Sequence, residues 1–290
     1  MGISAPTHIA RELFNSDIIM PVMYTVGVII PVRDEGHLIA DCIKNAISFP
    51  QVIQVIVICD RCTDDTYMRA KEVADDKCLI IEKSTGTNSY LGHMMADAQN
   101  FGLPYLDKVD YICIVDADTR LPSDYFEHLG PDCTRIQESD KGWYAGPGTT
   151  LSLKVFADIG GTFPRVATND QAIHKMVEAV GYTFKNCIYK ADQFLVPDTG
   201  PKKSLRRHWW GVRAMGTMWY EFCLPFLGAA IITAAHLYQG RIMYGIMFML
   251  GYIRAYMARE PRQKFMAPYA KRRQDRWIKK AKAVLRFNKN

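Results

Sequence analysis

Residues 111–122 read Tyr-Ile-Cys-Ile-Val-Asp-Ala-Asp-Thr-Arg-Leu-Pro. The uncharged start and the closing proline predict a buried strand, Tyr111–Val115, that ends at Asp116 and Asp118. Because side chains alternate along a strand, we expect both carboxylates on the same side. Carboxylate oxygens suit Mg2+ or Mn2+, and a metal held there can bind a nucleotide diphosphate. Taken alone, the pair is equally typical of a solvated turn.

Apolar strands and amphipathic stretches alternate upstream of this segment. We predict strands at 26–30, 52–59 and 78–82, with helices at 38–47, 66–73 and 92–101. Pro31 is expected to end the first strand. This order predicts an α/β fold with a mostly parallel sheet covered by helices on both faces. Ligands of such sheets bind at the carboxyl ends of the strands, where this chain places Asp34, Glu35, Asp60, Asp116 and Asp118.

Three segments, in this order, resemble the nucleotide-sugar segments of family 2 glycosyltransferases, which are inverting enzymes of the GT-A fold. They are Ile30-Pro-Val-Arg-Asp-Glu35, Val57-Ile-Cys-Asp-Arg-Cys-Thr-Asp-Asp-Thr66 and Asp116-Ala-Asp-Thr-Arg-Leu-Pro-Ser-Asp-Tyr125. The resemblance covers roughly residues 24–210 and implies a GT-A type nucleotide-diphospho-sugar transferase fold.

The same resemblance implies roles for individual residues. Asp60 would contact the base or ribose of the donor, and Asp116 and Asp118 would hold the ribose and the metal-bound diphosphate. The metal would be Mn2+ or Mg2+. Pro31 and Glu35, at the end of the first strand, would lie near the nucleoside. A helix N-cap is the alternative interpretation of Asp60.

A later acidic position in this family supplies the catalytic base. The segment Gly160-Gly-Thr-Phe-Pro-Arg-Val-Ala-Thr-Asn-Asp170, followed by a helix to Ala179, resembles that region, although Asn169 replaces the first acid of the family's pair. Inverting transfer needs one carboxylate to take the proton of the acceptor hydroxyl, which makes Asp170 the candidate base. A helix N-cap is again the alternative.

The segment Arg206-Arg-His-Trp-Trp-Gly211 has the residue types of an acceptor segment found in processive members of the family, but not their spacing. A guanidinium matches phosphate oxygens and an indole face suits a sugar ring, so Arg207 and Trp209 are expected to contact diphosphate and acceptor. A basic aromatic stretch lying against a membrane surface explains the same residues.

The composition of the chain changes after residue 211, first to apolar and then to basic residues. The 290 residues carry a net charge of +6, but residues 262–290 hold eleven Lys or Arg and one acid, Asp275. We therefore predict an N-terminal extension at 1–23, a GT-A catalytic domain at 24–211, a hydrophobic helical segment at 212–258 and a basic amphipathic tail at 259–290. The hydrophobic segment could form a membrane hairpin or two packed or interfacial helices.

The tail has Trp277, Ala281, Val284 and Leu285 at helical spacing among basic residues, a pattern that suits anionic lipid headgroups. Nucleic acid binding or a solvated basic tail would explain the same charge. Eight cysteines, several within apolar runs, indicate a reducing compartment. We expect a location at the cytoplasmic face of a membrane, peripheral or anchored by a hairpin.

Together these features predict a metal-dependent inverting glycosyltransferase that uses a UDP- or GDP-linked donor. The expected acceptor is a hydroxyl or phosphate of a lipid-linked or surface-glycan precursor. Two alternatives remain open. The chain could glycosylate modified DNA, with the tail binding phosphates, or it could be a catalytically silent nucleotide-sugar-binding or scaffold protein.

Overall fold

A seven-stranded sheet organises the molecule. The computed structural model describes residues 24–86, 91–127, 129, 134–138, 144–182, 188–190 and 205–287, so the predicted N-terminal extension lies outside the described residues. The strands are β1 (Val26–Val32), β2 (Val52–Asp60), β3 (Cys78–Lys83), β4 (Tyr111–Ile114), β5 (Thr134–Glu138), β6 (Tyr144–Ser152) and β7 (Ile188–Lys190).

The strands follow the order β3-β2-β1-β4-β6-β5-β7. Strands β1 to β4 are parallel to one another, β6 runs antiparallel to β4 and β5, and β7 runs parallel to β5. The carboxyl ends of β1 to β4 therefore meet at one edge, as the sequence predicted. The predicted α/β, mostly parallel fold class is confirmed.

Helices cover both faces of this sheet. They are α1 (Gly36–Ile47), α2 (Thr66–Val73), α3 (Leu91–Gly102), α4 (Leu153–Asp158), α5 (Asn169–Ala179), α6 (Leu205–Glu221), α7 (Phe226–Tyr238), α8 (Ile242–Ala258) and α9 (Ala267–Phe287). Val28 and Ile30 of β1 pack in one buried cluster with α1, whereas Ile29 packs in another with α3, α5 and the C-terminal helices. Burial on both faces explains why the parallel strands are apolar at consecutive positions.

Pro31 does not end the first strand, because β1 continues to Val32. The Ile29 carbonyl accepts a hydrogen bond from Val115, on the side of β1 that faces β4. Residues two apart on a strand face the same neighbour, so Pro31 also faces that side, where β4 has already ended. The missing N–H of proline therefore leaves no gap in the ladder.

The aspartate pair lies in a turn and not on the strand. Strand β4 ends at Ile114, and residues 117 and 118 are in a turn closed by a Thr119 N–H bond to the Asp116 carbonyl. The expected strand alternation is therefore wrong for Asp116 and Asp118, because the chain turns before the pair is reached. Their position at the carboxyl edge is as predicted.

The C-terminal helices pack closely on one another. A methyl group on Gly216 of α6 would lie 1.9 Å from the Phe248 carbonyl oxygen, and one on Gly251 of α8 would lie 1.9 Å from that of Arg213. These glycines let the backbones of α6 and α8 touch, and the predicted boundary between residues 211 and 212 falls inside α6. Among the described residues, we find no helix with the length and hydrophobicity that a membrane crossing needs.

Helix α9 carries the basic tail, and its apolar side faces the protein. Tyr269 and Ala270 are buried, and the Tyr269 ring stacks on Trp219 of α6 with 6.1 Å between centroids. Trp277 is half-buried against the same core and lies 6.3 Å from the His236 ring of α7. The side chains of Ala281, Val284 and Leu285 lie outside the described part of the structure, so the predicted lipid contact of the tail stays a prediction.

Candidate functional site

Two sharp turns lie at the carboxyl edge of the parallel strands. Asp34 follows β1 and Arg61 follows β2, and both adopt left-handed φ angles, 54° and 55°. Few non-glycine residues adopt such angles, and they concentrate at functional sites. The Asp34 carboxylate stabilises this arrangement by accepting hydrogen bonds from the Thr63 N–H at 2.6 Å and from its hydroxyl at 3.1 Å. The loops after β1 and β2 are therefore joined.

Asp60, the last residue of β2, is 5% exposed and bound by two cations. Arg61 donates to both carboxylate oxygens at 2.9 Å, and Lys83 Nζ donates to Oδ1 at 3.0 Å. Burial by itself raises the pKa of Asp60, but the hydrogen bonds from Arg61 and Lys83 outweigh it and hold the pKa below its usual value. The N-cap alternative for Asp60 is wrong, because α2 begins only at Thr66.

Lys83 is a site residue that the sequence did not single out. It ends β3 in register with Asp60, is 6% exposed, and also donates to the Thr85 carbonyl at 2.6 Å. A lysine at the end of an apolar strand, beside a strand that ends in aspartate, was the signal available in the sequence. Its ammonium group fixes the start of the loop after β3, which the sequence left without an assigned donor contact.

A second group of acids lies at the same edge of the sheet. Asp116 has its pKa raised to about 7, first by burial and then by repulsion from Asp118 and Asp170. The structure therefore brings Asp170, more than fifty residues away in sequence, to the turn after β4. These three residues are the predicted metal pair and the predicted base.

Asp170 lies in the first turn of α5, whose N-cap residue is Thr168. Burial raises the pKa of Asp170, and backbone N–H groups of Gln171 and Asp170 itself partly offset this. The N-cap interpretation is thus wrong in detail, although the carboxylate does lie at the positive end of the helix. Asn169, which replaces an acid, is buried and donates to Gln99 of α3 at 2.9 Å, so it anchors α5.

Glu35 lies between β1 and α1, beside the three acids. Burial raises its pKa, His37 lowers it, and repulsion from Asp118, Asp64 and Asp34 raises it further. Its N–H donates to the Thr66 hydroxyl at 3.0 Å, which places Glu35 against the start of α2. The structure therefore puts Glu35 within the electrostatic reach of the predicted donor site, and buried Pro31 lies on the strand leading to it.

The predicted acceptor residues, Arg207 and Trp209, lie near the N-terminal end of α6. Their side chains are outside the described part of the structure, so their predicted contacts stay a prediction. The C-terminal end of this helix reaches the site region through Glu221, a buried residue that the sequence analysis missed.

Glu221 joins three elements. Its Oε1 lies 2.8 Å from His93 Nε2 in α3, and its Oε2 accepts from the Ala167 N–H at 3.0 Å, just before α5. Glu221, His93 and Ala167 are all buried. A glutamate between Tyr220 and Phe222, after the apolar last turns of α6, was the signal for such a contact, because a buried carboxylate needs donors. Glu221 therefore connects the C-terminal helices to the segment that positions Asp170.

A different acidic group meets the geometric requirement for several metal ligands. Asp34, Cys62 and Asp64 have ligand atoms within 4.8 Å of one another among the described residues. Asp64 already accepts from the Gly36 N–H at 3.1 Å and from the Thr66 N–H at 3.0 Å. Since Asp34 accepts from Thr63, we assign this group to loop structure.

Comparison with known families agrees with this geometry. Residues 27–131 match the family model described as Glycosyl transferase family 2. The predicted resemblance is confirmed over this segment, which carries β1 to β4, Asp116 and Asp118. Asp170 and the C-terminal helices lie beyond the matched residues. No curated protein sequence gives a significant match.

Several solved structures are similar to this chain. The mannosyltransferase PcManGT from Pyrobaculum calidifontis, in complex with GDP-Man and Mn2+, is 16% identical with a TM-score of 0.52, covering 90% of this chain and 75% of that chain. Glucosyl-3-phosphoglycerate synthase from Mycobacterium tuberculosis is 13% identical, with a TM-score of 0.43 and coverage of 58% and 69%. TarS of S. aureus is 13% identical, with a TM-score of 0.43 and coverage of 68% and 39%. The first of these likenesses shows the GT-A fold.

Proposed function

We propose that this protein transfers a sugar, with inversion, from a nucleoside-diphosphate donor to an acceptor hydroxyl or phosphate, using Mn2+ or Mg2+. The observation that carries the proposal is the group formed by Asp116, Asp118 and Asp170 at the carboxyl edge of the parallel strands. Parallel α/β sheets bind ligands at this edge. The family match covers the strands that build it.

The residues present fit a divalent cation. Burial, and then repulsion from Asp118 and Asp170, raises the pKa of Asp116, so these carboxylates lie near one another at a partly buried position. Carboxylates in that state are stabilised by a hard cation, and we assign Asp116 and Asp118 as the residues that would hold it. When bound, the metal would neutralise the charge that develops on the leaving diphosphate.

Asp170 fits the role of base. The acceptor hydroxyl loses its proton to this carboxylate while its oxygen attacks the anomeric carbon of the donor, and the bond between that carbon and the diphosphate oxygen breaks. Attack opposite the leaving group inverts the anomeric centre. Burial raises the pKa of Asp170 and so brings its basicity nearer to the working pH, where a general base is most effective.

Asp60 and Glu35 are assigned to the nucleoside end of the donor. Asp60 is oriented by Arg61 and Lys83, and a carboxylate whose rotation is fixed can accept a hydrogen bond from a base or ribose at little entropic cost. The structurally similar mannosyltransferase was solved with GDP-Man and Mn2+. GDP-mannose and Mn2+ are therefore the first donor and metal to test, followed by UDP-sugars and Mg2+.

We further assign the acceptor to lipid-linked glycan precursors, with Arg207 and Trp209 at the acceptor side. The support is indirect. Helix α6 carries both residues and continues to Glu221, which contacts the segment before Asp170. The other side of α6 packs against α8, which exposes apolar side chains.

The test measures release of nucleoside diphosphate from a panel of GDP- and UDP-sugars. Full-length protein in mild detergent is incubated with Mn2+ or Mg2+, with and without polyprenyl phosphate, beside the variant Asp118→Ala. We expect metal-dependent release from one donor, faster with the lipid phosphate and lost in the variant. If calorimetry showed no metal-dependent nucleotide binding and no donor were consumed, the proposal would be abandoned for a scaffold role.

A further inference from the structure

The hairpin formed by α7 and α8 exposes large apolar side chains in a regular line. Five of the exposed residues of α8 form this line, Met243, Ile246, Leu250, Ile253 and Met257, and their exposed fractions range from 38% at Ile253 to 77% at Met257. Their spacing of three and four residues places them along one side of the helix. We call these five residues the apolar stripe. Soluble surfaces rarely expose so long a contiguous apolar line.

Aromatic side chains are exposed elsewhere on the hairpin. Exposed Tyr238 ends α7 next to the turn into α8, and exposed Phe226 at the other end of α7 lies 6.1 Å from the Tyr252 ring of α8. Tyr256 of α8 is also exposed. Tyrosines at the margin of an apolar surface are typical of a membrane–water interface, where the ring is apolar and the hydroxyl is hydrated.

Basic side chains lie along and beside this apolar surface. Exposed Arg241 precedes α8, Arg254 lies within it and Arg259 follows it, and no Asp or Glu occurs between residues 222 and 259. Basic residues around an apolar helix face favour anionic lipid headgroups. A second copy of the chain would instead bring arginines together without an acid from either hairpin to pair with them.

We propose that the apolar stripe and its flanking arginines dock the protein on an anionic lipid surface. The opposite side of α8 is packed against α6, so the helix would meet the headgroup region side-on, with its axis along the membrane plane. This surface lies on the hydrophobic segment, residues 212–258, for which the sequence left a membrane hairpin and packed or interfacial helices open. The inference does not depend on the proposed transfer activity, since docking requires no donor.

Sedimentation with vesicles of phosphatidylcholine, with or without phosphatidylserine, tests the proposal on the full-length protein without nucleotide. We expect the protein to sediment with the anionic vesicles. The double variant Ile246→Glu/Leu250→Glu should reduce bound protein at least tenfold. The matched control is Met68→Glu, because Met68 of α2 is 61% exposed on the catalytic side and should not affect vesicle binding.

Arg254→Glu provides a second variant that leaves the apolar stripe intact. It should weaken binding to anionic vesicles by about fivefold or more, and the effect should shrink at high salt. Circular dichroism verifies that each variant is folded. The proposal is overturned if folded variants bind vesicles like the native chain, or if the native chain does not bind. It is also overturned if the double variant only converts a dimer to a monomer in analytical ultracentrifugation, since a second copy would then cover the stripe.

Discussion

Asp60 and Asp116 lie at the same sheet edge in opposite electrostatic environments. Asp60 is held by Arg61 and Lys83, and its pKa is lowered despite burial. Asp116 has acids as its main charged neighbours, and burial together with those acids raises its pKa to about 7. One carboxylate is thus neutralised within the protein, whereas the other retains charge that a bound cation could neutralise.

The two carboxylates differ in what balances their charge. Side chains of the protein balance the charge of Asp60, whereas a bound cation could balance that of Asp116. A buried carboxylate with two donors contributes to the native state as it stands, because its desolvation is offset by hydrogen bonds. A crowded group of carboxylates costs stability until a cation binds. Replacing Asp60 and replacing Asp116 should therefore change the free energy of unfolding in opposite directions.

The largest effect is expected for activity when Asp170 is replaced. Asp170→Asn keeps the shape of the side chain but removes the base, so kcat should fall by about a hundredfold to ten-thousandfold. Steady-state kinetics and nucleotide titration measure the change, and donor affinity should remain near normal. Glu178→Gln, an exposed change on the same helix, is the control. Activity within a few-fold of the native chain would remove Asp170 from the mechanism.

Next in size is the loss of stability on replacing Asp60. Asp60→Asn leaves the buried Lys83 ammonium with neutral oxygens, such as the Thr85 carbonyl, in place of a carboxylate, so the unfolding free energy should fall by about 2 to 4 kcal/mol. Urea denaturation measures this change. Adding Lys83→Met removes the buried charge and should restore part of the loss. An unchanged midpoint in the single variant would mean that the ion pairs contribute little.

Asp116→Asn should act in the opposite direction in the absence of metal. At about pH 8 the variant removes a carboxylate that is crowded by other acids, which should stabilise the protein by on the order of 1 to 2 kcal/mol. The same variant should lose the rise in melting temperature that Mn2+ gives the native chain. Thermal unfolding with and without Mn2+ distinguishes the two effects. Destabilisation of the metal-free variant would contradict the assignment of Asp116 to an uncompensated group.

The last prediction concerns the pH dependence of stability. Because the folded state raises the pKa of Asp116 to about 7, it binds this proton more tightly than the unfolded chain, whose carboxyl titrates near about 4. This contribution to stability is present below about pH 4 and is lost as the pH rises toward about 7. Metal-free urea curves across this range should show the loss, and Asp116→Asn should lack it. Asp60, whose pKa is lowered, changes stability with pH in the opposite direction. The same urea curves measured in the Asp60→Asn variant therefore show the contribution of Asp116 without that of Asp60.

The strands and their order followed from local chemistry. Apolar runs such as 52–59, ended by polar turns, are buried on both faces of a parallel sheet and have few other stable arrangements. The predicted strands and helices of residues 26–115 are all present, with β1 extended past Pro31 because β4 is short. Proximity of Asp60 to the turn after β4 also follows from the sheet order.

The sequence by itself determined the parallel sheet, the acids at its carboxyl edge and the family resemblance, because these depend on short-range periodicity and on residues next to strand ends. The tertiary structure decided what surrounds each acid. Lys83 reaches Asp60 from the neighbouring strand, Glu221 reaches Ala167 from a distant helix, and α9 turns Tyr269 inward while α8 leaves its apolar stripe exposed. These outcomes depend on contacts between segments far apart in sequence, and the packing that selects them has no local signature.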